Sequence, residues 1–231
     1  MNEALQIRDG RPDGLRTTPL LAKLGPDFFD IAYRAARSGD PDAFLVYNDY
    51  GLEMDRPDQE RKRGALLRLL DRFAEDGTPI DAVGLQSHLA LDGSRFDEKI
   101  YRDFLHELAS RNLKIIITEL DALDTAAPGD HAARDQAVAD MYARFLSVAL
   151  DERAVMAVVS WGLSDRYTWL TPDKDPRFAR KDGLPGRPLP FDDAFAPKLA
   201  FDAIRTAFEH APQREPAKRG PAQGADAQMK R

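Results

Sequence analysis

Two glutamates occupy positions from which side chains could carry out acid–base chemistry. Glu119 lies in the stretch 114–121, where three consecutive isoleucines predict a strand buried on both faces. That apolar run stops abruptly at Thr118, Glu119 and Asp121. In a β/α protein the carboxyl end of a strand faces the site, so a carboxylate there is a catalytic candidate if a partner exists, and otherwise a solvated loop residue. Glu3, which follows Asn2 at what reads as another strand end, is that partner. Past the remaining expected strands come Asn48, Asp49 and Tyr50, then Gln86, Ser87 and His88, then Trp161 and Trp169. This inventory contains two glutamates, amides and a histidine able to hold hydroxyls, and two indoles with flat apolar faces. It contains no glycine-rich phosphate loop. Two carboxyls with aromatic platforms suit cleavage of a glycosidic bond: one delivers a proton to the leaving oxygen while the other attacks or stabilises the anomeric carbon. The plainer readings are a hydrogen-bonded core histidine for His88 and core filling for the two tryptophans.

The elements that must position these residues follow from periodicity. Residues 1–25, rich in Gly, Pro, Arg and Asp, predict a long loop after a strand end. A helix is expected over 26–38, with Phe29, Ala32, Tyr33 and Ala36 inward and Gly39 closing it. A buried strand over 43–47 follows. Leu66, Leu67, Leu70 and Phe73 stripe a second helix that Gly77 stops, and residues 81–85 form a short strand. The spacing of Phe96, Ile100, Phe104 and Leu108 predicts a helix over 96–110, with Ser94 as its cap. After the isoleucine strand comes a helix bearing Val138, Met141, Tyr142, Phe145, Leu146 and Ala149, then a strand over 156–160, a Pro-rich loop and a helix over 197–210. Strand–helix alternation of this kind predicts a parallel sheet with helical crossovers. Counting the strand end at 1–4, about five β/α units are expected, where a closed barrel has eight in ~250 residues.

Composition narrows the function classes. The chain has 231 residues, 43% of them hydrophobic, enough for one sizeable domain. Its net charge is −6. The tail from 212 onward is net basic and reads as disordered, so the remainder is more acidic than the whole, which argues against a nucleic-acid surface. With no cysteine there are no disulfides and no thiolate metal ligands, and the histidines (His88, His106, His131, His210) lack metal-ligand spacing. No apolar run approaches a membrane span, and the N-terminus lacks the basic and apolar regions of a secretory signal, so the polypeptide as written is expected to remain in the cytoplasm.

The segments 2–4, 9–16, 45–50, 84–89, 117–121 and 161–169, in this order and spacing, resemble glycoside hydrolase family 10. The resemblance covers about residues 1–210. It implies a retaining endo-β-1,4-xylanase acting on xylan or xylo-oligosaccharides without metal or organic cofactor, in a family that is typically secreted. It also implies part of a (β/α)8 TIM barrel, about strands 4 to 8, with a catalytic domain over 1–211 and a tail over 212–231. By the same resemblance Glu3 matches the acid/base and Glu119 the nucleophile. Asn2 matches the residue holding the 2-hydroxyl of the sugar being cleaved. His88 looks like the histidine held between the nucleophile and Asp121, with Asn48, Gln86 and Tyr50 lining the cleft and Trp161 and Trp169 walling it. The family carries three further β/α units before the Asn-Glu pair, so the sequence corresponds to a C-terminal portion. The alternative is a remnant that binds xylo-oligosaccharides weakly without cleaving them.

Overall fold

The computed structural model describes residues 1–127 and 129–213. The tail expected to be disordered lies, from residue 214, outside the described residues. The chain forms an open parallel sheet with helical crossovers. The sequence runs α1 (Pro19–Leu24), α2 (Phe28–Gly39), β1 (Val46–Asp49), α3 (Pro57–Asp76), β2 (Ala82–Leu85), β3 (His88–Ala90), α4 (Glu98–Ala109), β4 (Lys114–Leu123), α5 (His131–Asp151), β5 (Val155–Ser160) and α6 (Leu199–His210). β1 pairs with β2, β2 with β4, and β4 with β5, all parallel. β3 follows β2 along the same edge of β4, so the two are one strand interrupted at Gln86 and Ser87. Among the described residues the sheet continues beyond β1 only as a parallel bridge between Asn2 and Asn48. The architecture is thus the expected part-barrel, with sheet edges at that bridge and at β5.

The helices bury one stripe each against the strands. Phe29 and Tyr33 from α2 meet Phe73 of α3 edge-on, with ring centroids 5.3 and 5.7 Å apart. Phe96, Tyr101 and Phe145 form a second aromatic group between α4 and α5. Complete burial of each such side chain contributes roughly 1.5–3 kcal/mol. In α5 all six residues expected inward are buried.

Several local expectations are corrected. Residues 1–25 are not simply loop: Ile7–Asp9 is a 3-10 turn and Pro19–Leu24 is a helix, capped by the Thr18 hydroxyl on the Leu21 amide. The next helix begins at Phe28, because Gly25–Asp27 forms a separate 3-10 turn, and Ala32 and Ala36 face solvent. Residues 43–45 precede β1, and Phe44 is exposed. Asp97, not Ser94, caps α4, accepting from the Ile100 amide at 3.0 Å. Ser94 instead bonds Asp92 in the preceding turn. The isoleucine strand does not end at Thr118 but runs to Leu123, and of its three isoleucines only Ile115 and Ile117 are buried. Ile116 is half-exposed on the opposite, open face of the sheet.

Candidate active site

Glu119 sits where the pairing of β4 is irregular. Against β5, the register slips between Ile117 and Leu120. Against β2 and β3, Leu85 faces Ile117 while His88 faces Asp121, so one more residue lies on β4 than on its neighbour. Such bulges re-aim side chains and bend the bulged strand. The neighbour answers with Ser87 in the left-handed region, at φ 61°. Glu53, wholly buried, accepts from the Ser87 amide at 3.0 Å and from the Leu52 amide at 2.7 Å, which pins that turn. Burial pushes the Glu53 carboxyl up from its ordinary value despite these bonds.

A layer of polar side chains then crosses the strand ends. The Asn48 amide nitrogen donates to Asn2 Oδ1 at 2.9 Å and to Glu119 Oε1 at 3.0 Å, while its oxygen accepts from the Thr118 hydroxyl at 2.7 Å. Gly84 makes that crossing feasible: a Cβ there would fall far inside contact with the Asn48 amide. On the other side His88 Nε2 lies 3.5 Å from Glu119 Oε2, and His88 Nδ1 is 2.9 Å from Asp121 Oδ1. Asp121, buried beneath, also accepts from Trp169 Nε1 at 2.8 Å, so one carboxylate orients both the histidine and the indole. Burial, the largest influence on His88, disfavours its charged form. Asp121, Glu53 and Glu119 together outweigh burial and raise the imidazole above its ordinary value.

Glu3 comes from the short run at the N-terminus, in the left-handed region at φ 52°. For a residue with a Cβ this conformation is strained, and strain of that kind concentrates at functional sites. Its amide donates to the Asn48 carbonyl at 2.8 Å. Its carboxylate accepts from Gln86 Nε2 at 3.1 Å and from Arg16 Nη2 at 3.3 Å. Tyr50 stands alongside, its hydroxyl 3.1 Å from Gln6 Nε2 and 3.2 Å from Arg16 Nη2. Beneath Tyr50, Lys62 lies 3.6 Å from the ring centroid and pairs with buried Asp49 at 2.7 Å.

All ten residues singled out from sequence therefore converge. Glu3, Tyr50, Gln86, His88, Glu119, Trp161 and Trp169 line one cavity of about 340 Å³, while Asn2, Asn48 and Asp121 hold those residues by hydrogen bonds. Beyond Tyr50 a second polar cavity, of about 300 Å³, continues past Gln6, Arg8, Arg56 and Arg177. Arg16, Glu53 and Lys62 were not foreseen as contributors. Their types and local spacing carry no signal. Arg16 reaches Glu3 only because residues 14–16 fold back beside residues 4–6, and Lys62 reaches Asp49 only through the docking of α3. Among the described residues no group of three or more His, Cys, Asp or Glu is arranged to hold a metal ion, and no helix is long and apolar enough to cross a membrane.

Comparison with known proteins agrees with this geometry. The profile of Glycosyl hydrolase family 10 matches residues 1–207. Endo-1,4-beta-xylanase B of Thermotoga neapolitana is 31% identical over 187 residues, 80% of this chain and 49% of the relative. The thermostable celloxylanase of Thermoclostridium stercorarium is 34% identical over 218 residues, 88% of this chain and 51% of the relative. The chain thus spans about half the length of these relatives. Among solved structures, native xylanase 10B from Thermotoga maritima superposes with a TM-score of 0.76 at 29% identity, covering 90% of this chain and 59% of that one. Xylanase 10B from Thermotoga petrophila RKU-1 in complex with xylobiose does so with a TM-score of 0.76 at 28% identity, covering 90% and 58%.

Proposed function

The chain belongs to glycosyl hydrolase family 10, and on that premise we propose that it carries the catalytic centre of an endo-1,4-β-xylanase that cleaves internal β-1,4 bonds of xylan with retention of configuration. Glu119 is the nucleophile and Glu3 the acid/base. In the first step Glu3 gives its proton to the glycosidic oxygen as Glu119 bonds to the anomeric carbon and the leaving chain departs. In the second step Glu3 takes a proton from water, which attacks the same carbon and releases Glu119.

The observation that carries this reading is the single cavity lined by both glutamates together with Trp161 and Trp169. Each glutamate is held by its own set of side chains. Glu119 lies between the Asn48 amide and His88, each of which contacts one of its carboxyl oxygens. Glu3 lies across the cavity with Gln86 holding one oxygen and Arg16 the other. Asn2, Asn48 and Gln86 offer amides for sugar hydroxyls, and the exposed indoles offer stacking surfaces for ring faces.

Hydrolysis of an aryl β-xylobioside by the chain and by Glu119→Ala tests the assignment. Release of the aryl group by the unaltered chain is expected, with a loss on the order of 10⁴-fold or more in the variant. Equal rates in the two remove Glu119 as the nucleophile. The same assay with an aryl β-cellobioside reports on action against β-1,4-glucan. A second reading, a remnant that binds xylo-oligosaccharides without cleaving them, is favoured by the unpaired sheet edges and by Glu3 lying close to one of them. Measurable turnover together with a cooperative melt removes it.

A further inference from the structure

Among the described residues the only ion pair made by Glu3 is with Arg16, whose Nη2 lies 3.3 Å from Glu3 Oε2. The same nitrogen is 3.2 Å from the Tyr50 hydroxyl, and the guanidinium carbon stands 5.9 Å from the centre of the Tyr50 ring. The main chain brings the arginine there. The Arg16 amide donates to the Ala4 carbonyl at 2.7 Å, the Gln6 amide donates to the Gly14 carbonyl at 2.8 Å, and Leu5 bridges Leu15 antiparallel. Gly14 turns the segment at φ 76° in a space where a Cβ would collide with Ala65. The arginine is therefore held beside Glu3 from both of its ends rather than swinging freely. Among the described residues its Nε is buried without a hydrogen-bond partner. Arg16 meets Glu3 and Tyr50 through Nη2.

We propose that Arg16 is a positioning residue for proton transfer at Glu3. This assignment rests on the reading of Glu3 as proton donor. When the leaving oxygen takes the proton and its bond to the anomeric carbon breaks, Glu3 is left as a carboxylate, and its Oε2 faces the Arg16 guanidinium. An interaction with the anion that is weak with the neutral acid grows as the proton moves, so it lowers the barrier rather than merely binding substrate. Through its second contact Arg16 also fixes the Tyr50 ring beside the departing group. When water later returns a proton to Glu3, the same contact keeps the carboxylate oriented.

The test compares kcat/KM, which reports the first bond-breaking step, for two substrates. Departure of 2,4-dinitrophenolate from its β-xylobioside needs no proton, whereas departure of sugar from xylotetraose does. Arg16→Gln is expected to lower kcat/KM for xylotetraose by about ten-fold or more, and for the dinitrophenyl substrate by no more than about two- to three-fold. Arg16→Lys, which keeps the charge but not the planar fork, is expected to restore part of the difference. Equal losses on both substrates, or no loss on either, overturn the proposal, since a merely structural role does not distinguish leaving groups. If Arg16→Gln does not melt cooperatively, Arg16→Lys decides: a selective loss supports the role and an equal loss on both substrates overturns it. Glu3→Ala is run alongside. Selective loss there with uniform loss in the arginine variants overturns the role of Arg16 alone. Uniform loss in Glu3→Ala, or no turnover of either substrate by the unaltered chain, overturns the acid/base assignment and this one with it.

Discussion

His88 is a single side chain tied to several acids at once. Its two ring nitrogens face two carboxylates, Asp121 at 2.9 Å and Glu119 at 3.5 Å, with buried Glu53 acting on it through space. Burial works against the charged ring, yet the three acids raise it above its ordinary value. A histidine raised in the folded state stabilises the fold fully below its unfolded value, near 6.5, and ceases to as pH rises through the folded value. His88→Gln is therefore expected to lower the thermal midpoint more at pH 6 than at pH 9. Circular-dichroism melts at the two pH values check this, and a deficit that is constant, or larger at pH 9, contradicts it. The same arrangement explains why Asp121 belongs to the site although it does not line the cavity: it sets the orientation of His88 and Trp169 together.

At the scale of the element, the candidate site is built on an irregular stretch of sheet. β4 carries Glu119 at a bulge, the β2–β3 strand breaks at Ser87 in step with it, and Asn48 from β1 lies across β2 to reach β4. The crossing passes over Gly84, whose neighbours leave no space for a methyl group. Gly84→Ala must push Asn48 off Glu119 and Thr118. A displacement of about 1 Å at a reacting group can reduce the rate about 100-fold, whereas the added methyl destabilises by about 1–3 kcal/mol. The variant is thus expected to lose most of its turnover of an aryl β-xylobioside while retaining a cooperative urea transition. Unchanged kcat would separate Asn48 from the orientation of Glu119.

At the scale of the whole molecule, the sheet is parallel, helix-covered on one face and open at its edges. Among the described residues β5 pairs only with β4, and Met156, Ala157 and Val159 on it are exposed, followed by Trp161 and Leu163. Unpaired strand edges with apolar side chains template pairing with other chains. Light scattering is expected to give a mass above 25.8 kDa that increases with protein concentration, and Val159→Lys is expected to reduce that increase by placing a charge on the free edge. A mass of one chain at every concentration in both proteins contradicts the expectation.

Strand–helix alternation, the parallel sheet and the gathering of the ten singled-out residues at the strand ends were legible in the sequence, because apolar periodicity marks what is buried and polar residues after each strand mark where the strands end. The 3-10 turns, the capping of α4 by Asp97 and the extension of β4 beyond Glu119 were not, since these depend on which neighbours compete for each backbone group. Only the tertiary structure decided that Glu53 sits under Ser87, that Lys62 pairs with Asp49, and that Arg16 meets Glu3. Side-chain type and linear spacing specify which face a residue takes along its own element. Which charge it meets across a gap depends on chain segments that return from far along the sequence, and that information exists only once the strands are in register.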